Sequence, residues 1–305
     1  MKFDRLMQVR PSLHRHTRYL SLTKNTMKRI FVILLLLVFA QNVFSKTINV
    51  PVPSGNETTD RELIVSKLKE LKPGDTLQFS TGIYLISTKI QININRVTLK
   101  GYPNRTIIKG CNPSDFTEPL YGILNCGGFE LIGQEITVEN LIFEYAWHGL
   151  MIGCCLPDNL EQLESGSNIK TEHYGGHLIK NNTFRYNSTG IRVIGINQKT
   201  VVIRDNVFQD NYHGLTINGS NVRAQGNNFR PLNPELIPID GAIDNAIEVL
   251  PFLTMFPPEN QPEINGDCEK IEIIENTIEK IANDIRINDS NQCKTLIVKD
   301  NIIKE

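Results

Sequence analysis

The chain has no excess charge of either sign, with 32 Lys+Arg against 33 Asp+Glu and a formal net charge of −1. A general nucleic-acid binder carries a basic excess, so that class is set aside, as is a strongly acidic solvating chain. There is no apolar run of the roughly 20 residues that a membrane-spanning helix needs. Nor is there a C-x-x-C pair, so the six cysteines do not suggest zinc. Helical periodicity is missing through the second half of the chain: no stretch there keeps apolar residues at 3.6-residue spacing.

Asn and Gly are frequent, and both tolerate left-handed backbone and sharp corners, so the chain should turn often. Near the start, Lys28 and Arg29 precede an apolar run from Ile30 to Ala40, followed by Val43-Phe44-Ser45. A basic flank, an apolar run of about 11 residues and small residues near a cleavage point describe a secretory signal. The expected organisation is therefore an upstream extension at 1–26, a signal at 27–45, a cap at 46–75 and the main body at 76–305. Export makes the cysteines candidates for disulfides. It implies a secreted or periplasmic protein with no lasting membrane insertion.

The organising feature is a repeat. An Asn followed two residues later by Ile or Phe recurs at Asn140, Asn182, Asn206, Asn227, Asn276 and Asn301, at intervals of 42, 24, 21, 49 and 25 residues. The two long intervals hold polar stretches, 155–176 and 231–267, which read as inserted loops. An apolar strand precedes each Asn, and a second strand follows Asn140, Asn182, Asn206 and Asn276 by eight or nine residues and Asn227 by 19, across the second insert. The second strands are Gly149-Leu-Met-Ile152, Gly190-Ile-Arg-Val193, Gly214-Leu-Thr-Ile217, Ala246-Ile-Glu-Val249 and Asp284-Ile-Arg-Ile287. Stacked turns of this kind form an all-β solenoid, a right-handed parallel β-helix with strands about 4.8 Å apart. The repeated Asn would form a ladder at one corner. Before the repeat, Thr59-Asp60 can cap a helix over 61–71 whose Leu63, Ile64, Leu68 and Leu71 cover the open end. No capping segment follows Asn301. That end is expected to be covered by a loop or partner, or to continue in a longer chain.

The stretch Pro73-Gly-Asp-Thr-Leu-Gln-Phe-Ser-Thr-Gly-Ile-Tyr84, with Val97-Thr-Leu-Lys-Gly101 and the later N-x-F…G-I-x-V turns, resembles the pectin-lyase-like β-helix superfamily. That resemblance implies the fold and a carbohydrate-active protein, such as a lyase or hydrolase, with polysaccharide as its partner. A non-catalytic glycan-binding or surface scaffold is the alternative. Polygalacturonase-like enzymes order their motifs N-T-D, D-D, G-H-G, R-I-K. Here Asp240-Gly-Ala-Ile-Asp244 follows His213-Gly214, no D-D occurs, and the epimerase D-P-H-E motif is absent, so neither catalytic set transfers.

Strand alternation selects Met151, Arg192, Thr216, Glu248 and Arg286 as the outward positions of the second strands. Arg192, Glu248 and Arg286 could line a groove for an acidic polymer, since arginine forks match sugar carboxylates. They equally suit charges pairing across rungs. Two corners carry an aromatic–histidine pair, Trp147-His148 and Tyr212-His213, with Ser188-Thr189 between them. Imidazoles suit proton transfer and the rings suit stacking on sugars. Duplication of a common corner sequence explains the same pattern. Candidate catalytic residues are thus Arg192, Glu248, Arg286, His148 and His213, and candidate substrate-binding residues are Trp147, Tyr212 and Thr216. No metal ligand set is predicted, and no cofactor. Ca²⁺ is the one ion that the acidic insert (Asp158, Glu161, Glu164, Glu172) could hold, although a solvated loop explains it as well. Cys268 and Cys293 each precede a ladder Asn by eight residues, which places them together on adjacent rungs as a disulfide pair or stacked thiols. Cys111 with Cys126 is a second candidate pair.

Overall fold

The computed structural model describes residues 45–111, 126–153, 172–231, 245–250, 269–279, 284–287, 293 and 295–304. Residues 45–305 make one compact unit. The expected extension and signal, up to residue 44, lie outside the described residues, as do most of the two expected inserts.

Each turn of the chain lays down three short strands, and every described strand pair is parallel. A first face runs through Thr47–Val50, Thr76–Phe79, Thr98–Lys100, Thr137–Glu139 and Leu178–Lys180. It continues in Val201–Arg204, Val222–Gln225, Ile271–Ile274 and Leu296–Lys299. A second face stacks eight strands, from Gly82–Leu85 to Ile302–Lys304. The third stacks Ile90–Ile92, Phe129–Leu131 and His148–Ile152, then the starts of Thr189–Arg204 and His213–Gln225, then Asn245–Leu250 and Ile285–Ile287. The strands Thr189–Arg204 and His213–Gln225 run unbroken from the third face into the first. The right hand follows from the strong preference of parallel crossovers for that sense.

Alternation sends every second side chain inward, and in-register stacking then piles like on like. Phe143, Phe184, Phe208 and Phe229 stack face to face along the axis, with centroids 5.1, 5.2 and 4.5 Å apart. The N-x-F spacing is the sequence trace of that column. Gly149, Gly190 and Gly214 sit where the third face begins, against these rings. A Cβ on Gly190 would lie 2.6 Å from the Gly214 carbonyl and 2.8 Å from the Phe208 ring. Gly190→Ala is therefore expected to lower stability by about 1–3 kcal/mol through overpacking. Thermal denaturation checks this, and an unchanged melting temperature would contradict the close approach.

The Asn ladder forms, with one shift. Asn182, Asn206, Asn227, Asn276 and Asn301 each accept the backbone N–H of the preceding rung through Oδ1, at 2.9–3.1 Å. Asn140 is not a member: its rung places Leu141 at the ladder position, and Leu141 N–H donates to Asn182. Asn140 instead takes the left-handed conformation that precedes the ladder, φ 59°, as do Asn181, Asp205, Glu275 and Asp300. Asn suits either position, which is why spacing alone misplaced it. A second, shorter ladder joins Ala146, Asn187 and Asn211 at the next corner.

The cap also differs in its bounds. The helix spans Glu57–Leu68, and its N-cap is Asn56, whose side chain accepts the Thr59 N–H. Asp60 is not a cap. It is buried and accepts the backbone N–H groups of Ser54 and Leu85, tying the helix to the second face. Ile64 and Leu68 close over the core as expected. The inserts are narrower than 155–176 and 231–267, because Glu172–Gly175 forms a strand along residues 196–199 and Asn245–Leu250 is a rung of the third face. Cys111 and Cys126 form a disulfide with Cα atoms 5.5 Å apart. Cys293 is disulfide-bonded, and its expected partner Cys268 lies outside the described residues.

Candidate functional site

The outward row of the third face is continuous in register: Gln91, Glu130, Met151, Arg192, Thr216, Glu248, Arg286. The predicted row Met151–Arg286 is thus reproduced, and it extends two rungs further toward the N-terminus. Beside it runs a second row, His148, Thr189, His213, Asn245, so the two histidines lie two rungs apart, about 10 Å.

Side chains from both rows meet. The Arg192 guanidinium donates through Nη1 to His148 Nε2 at 3.4 Å and through Nε to Asn218 Oδ1 at 3.3 Å. Guanidinium has no acceptor, so His148 must present the Nε2 lone pair and carry its proton on Nδ1. Burial, with Arg192, Lys89 and His213 adding positive potential, pushes the His148 pKa down to about 3. It is therefore neutral at ordinary pH. The Arg192 pKa is also lowered by burial, opposed by attraction to Glu248. One rung beyond Thr216, the buried Glu248 carboxylate lies 3.8 Å from His213 Nδ1 and 3.9 Å from Arg286 Nη1. The Asn245 amide is 3.2 Å from the same His213 nitrogen. Glu248 does not bridge two arginines: Arg286 is half-exposed on one side and His213 replaces Arg192 on the other.

The aromatic neighbours stand at the edge of this cluster. The Trp147 ring lies 4.4 Å from that of His148 and is exposed, and Tyr212 lies 4.5 Å from His213. Ser188 occupies the intervening rung, as its spacing implied. The sequence reading missed Glu130, which is buried and held by Lys89 at 3.0 Å and Gln91 at 2.8 Å. Its rung, Phe129-Glu-Leu131, lacks the G-I-x-V signature that drew attention to the others. Asn218 and Asn245 were also missed. Asn218 lies two positions beyond Thr216 on the same outward face, which alternation could have found.

Among the described residues, no group of three or more His, Cys, Asp and Glu is arranged to hold a metal. Asp158, Glu161, Glu164, Asp240 and Asp244 lie outside the described residues, and the Glu172 side chain does too.

No protein-family model and no curated protein matches the chain. Solved structures do. One is Geobacillus virus E2 ORF18, 12% identical at TM-score 0.40, covering 85% of this chain and 53% of that one. A PL6 family alginate lyase, AlyGC, is 12% identical at TM-score 0.41, covering 85% of this chain and 40% of that one. Pectin methylesterase PemA from Erwinia chrysanthemi is 10% identical at TM-score 0.36, covering 77% and 78%. The fold is a right-handed parallel β-helix. This β-helix spans about half the length of the first of those structures.

Proposed function

We propose that this is an exported, carbohydrate-active β-helix that cleaves an acidic polysaccharide by β-elimination, with the third face as its site. The observation that carries the reading is the pair of contacts on consecutive rungs: Arg192 seated on neutral His148, and His213 flanked by Glu248. In β-elimination a cation neutralises a uronate carboxylate so that the C5 proton becomes acidic. Arg192 supplies that cation, and His148 positions it. His213 is then the base. The Glu248 carboxylate stabilises the imidazolium that results, and its other oxygen lies 3.9 Å from Arg286 Nη1.

Hydrolysis fits the described residues less well. A glycoside hydrolase sets two carboxyl groups about 5–9.5 Å apart. The two carboxylates of this row, Glu130 and Glu248, are four rungs apart, about 19 Å. The apolar segment before Ser45 supports export, and among the described residues no helix is long and apolar enough to cross a membrane.

The test is an absorbance assay for unsaturated uronides across acidic polymers. Product should form on at least one of them, and Arg192→Ala should lower kcat by about 10²-fold or more. Absence of product with every acidic polymer, with glycan binding retained, would replace the enzyme by the scaffold reading.

A further inference from the structure

Among the described residues, Lys46 is the first that is bonded into the solenoid. Its carbonyl accepts the Thr76 N–H at 2.9 Å, and its own backbone N–H donates to Asp75 Oδ1 at 2.9 Å. The other oxygen, Asp75 Oδ2, accepts the Lys72 N–H at 2.8 Å. Lys46 and Asp75 stand in register, each one position before the paired residues Thr47 and Thr76. On the rungs that follow, the same register puts Val97, Ile136, His177 and Val201 where Asp75 stands, and none of these is an acid. The carboxylate therefore belongs to the one rung that faces Lys46. It is only 6% exposed. Yet among the described residues no side-chain cation pairs with it. A buried carboxylate is costly unless a cation accompanies it.

The peptide bond on the other side of the Lys46 nitrogen joins it to Ser45. Both residues are exposed, and the compact unit begins at Ser45. In the sequence, Val43-Phe44-Ser45 closes the apolar segment with a small residue next to that bond, as signal peptidases require. We infer that the Ser45–Lys46 bond is the processing site of the exported chain, and that the α-ammonium released on Lys46 is the cation that Asp75 lacks. Hydrolysis by a signal peptidase consumes one water. The C–N bond breaks, the Ser45 carbonyl carbon gains the hydroxyl, and the Lys46 nitrogen gains the hydrogen. The new carboxyl then gives up its proton and the new amine takes one, as both do at neutral pH. A neutral N–H that donated to the carboxylate thus becomes a charged donor at the same place, which strengthens the bond. Processing thereby fastens the strand Thr47–Val50 to the rung above it. This inference rests on the export reading, and it concerns the terminus alone.

The test uses the full chain, expressed with its own leader in an exporting host. Intact mass and N-terminal sequencing of the exported protein should give Lys46 as the first residue. An exported protein with a different first residue would overturn the inference and leave export standing. A full-length chain retained inside the cell would remove both. The pairing is read separately. Reductive methylation with ¹³C-formaldehyde labels the α-amine of the mature protein, and its NMR signal should titrate about one pH unit higher in the folded protein than in the same protein unfolded in urea, a tenfold difference. Asp75→Asn should abolish that difference. Equal titration in the folded and unfolded protein would overturn the pairing, and this comparison needs no variant. So would a difference that survives in a folded Asp75→Asn variant.

Discussion

Asn206→Ala should destabilise the protein by about 2–6 kcal/mol, the largest loss expected from any single side chain in the ladder. Asn206 Oδ1 accepts both the backbone N–H and the side-chain Nδ2 of Asn182, at 3.0 and 3.1 Å. Its Nδ2 donates to the Ile179 carbonyl at 2.9 Å and to Asn227 Oδ1 at 3.0 Å. Alanine strands the Asn182 N–H and the Ile179 carbonyl in a position that is 1% exposed, where water does not replace the lost partner. At roughly 2–4 °C per kcal/mol for a unit of this size, the melting temperature should fall by at least several degrees. The control is Asn301→Ala. Asn301 makes the same kinds of bond but sits half-buried in the last described rung, so solvent can take up the released groups. Its loss should be less than half as large. Equal effects at the two sites would show that burial of the ladder is not what makes it matter.

The second large effect concerns acid. His148 titrates near 3 in the folded chain against about 6.5 unfolded, because burial foremost, and then Arg192, Lys89 and His213, disfavour the imidazolium. Above about pH 7.5 both states are neutral and the group contributes nothing. Between 6.5 and 3 the unfolded chain binds the proton and the folded chain does not. Stability therefore falls as pH falls through that window, by on the order of 3–5 kcal/mol at its lower end. Carboxylates such as Glu139, whose pKa is lowered by its lysine partners against the opposing effect of burial, also lose stabilisation toward acid. The comparison that isolates His148 is therefore between wild type and His148→Gln. Urea midpoints measured from pH 8 to pH 4 should converge or cross, the variant falling less steeply. Parallel curves would mean that the ring is protonated in the folded protein or reachable by water.

Much of this was legible because a solenoid repeats its constraints. An inward Phe and a corner Asn recur at the rung interval, so period alone recovers the ladder, the core column and the outward row. What period cannot do is choose between adjacent positions that favour the same residue. Asn140 fits the left-handed position and the ladder position equally well by composition, and only the pairing of Ile142 with Thr183 decides. Asn187 and Asn211 each follow a ladder Asn by five residues, a signal too brief at two rungs to stand out. The helix start was misjudged because Thr59-Asp60 and Asn56 are all good caps, and the buried contacts of Asp60 are tertiary. At the site, alternation gives the direction of Arg192 but not its seat on His148. That contact depends on how two side chains from different rungs bend toward one another.

Because each rung bonds only to its two neighbours, the ladder makes the chain tolerant of changes in whole units. Asn182 to Asn206 is one such unit of 24 residues, and Asn206 to Asn227 is another of 21. Copying either in tandem would leave every corner amide with a donor above and an acceptor below, and would lengthen the third face by one step of about 4.8 Å. Gene duplication could thus lengthen the third face without inventing new packing, and unequal recombination could shorten it again. The length of that face is in that sense an inherited integer, adjustable independently of the side chains on any one rung.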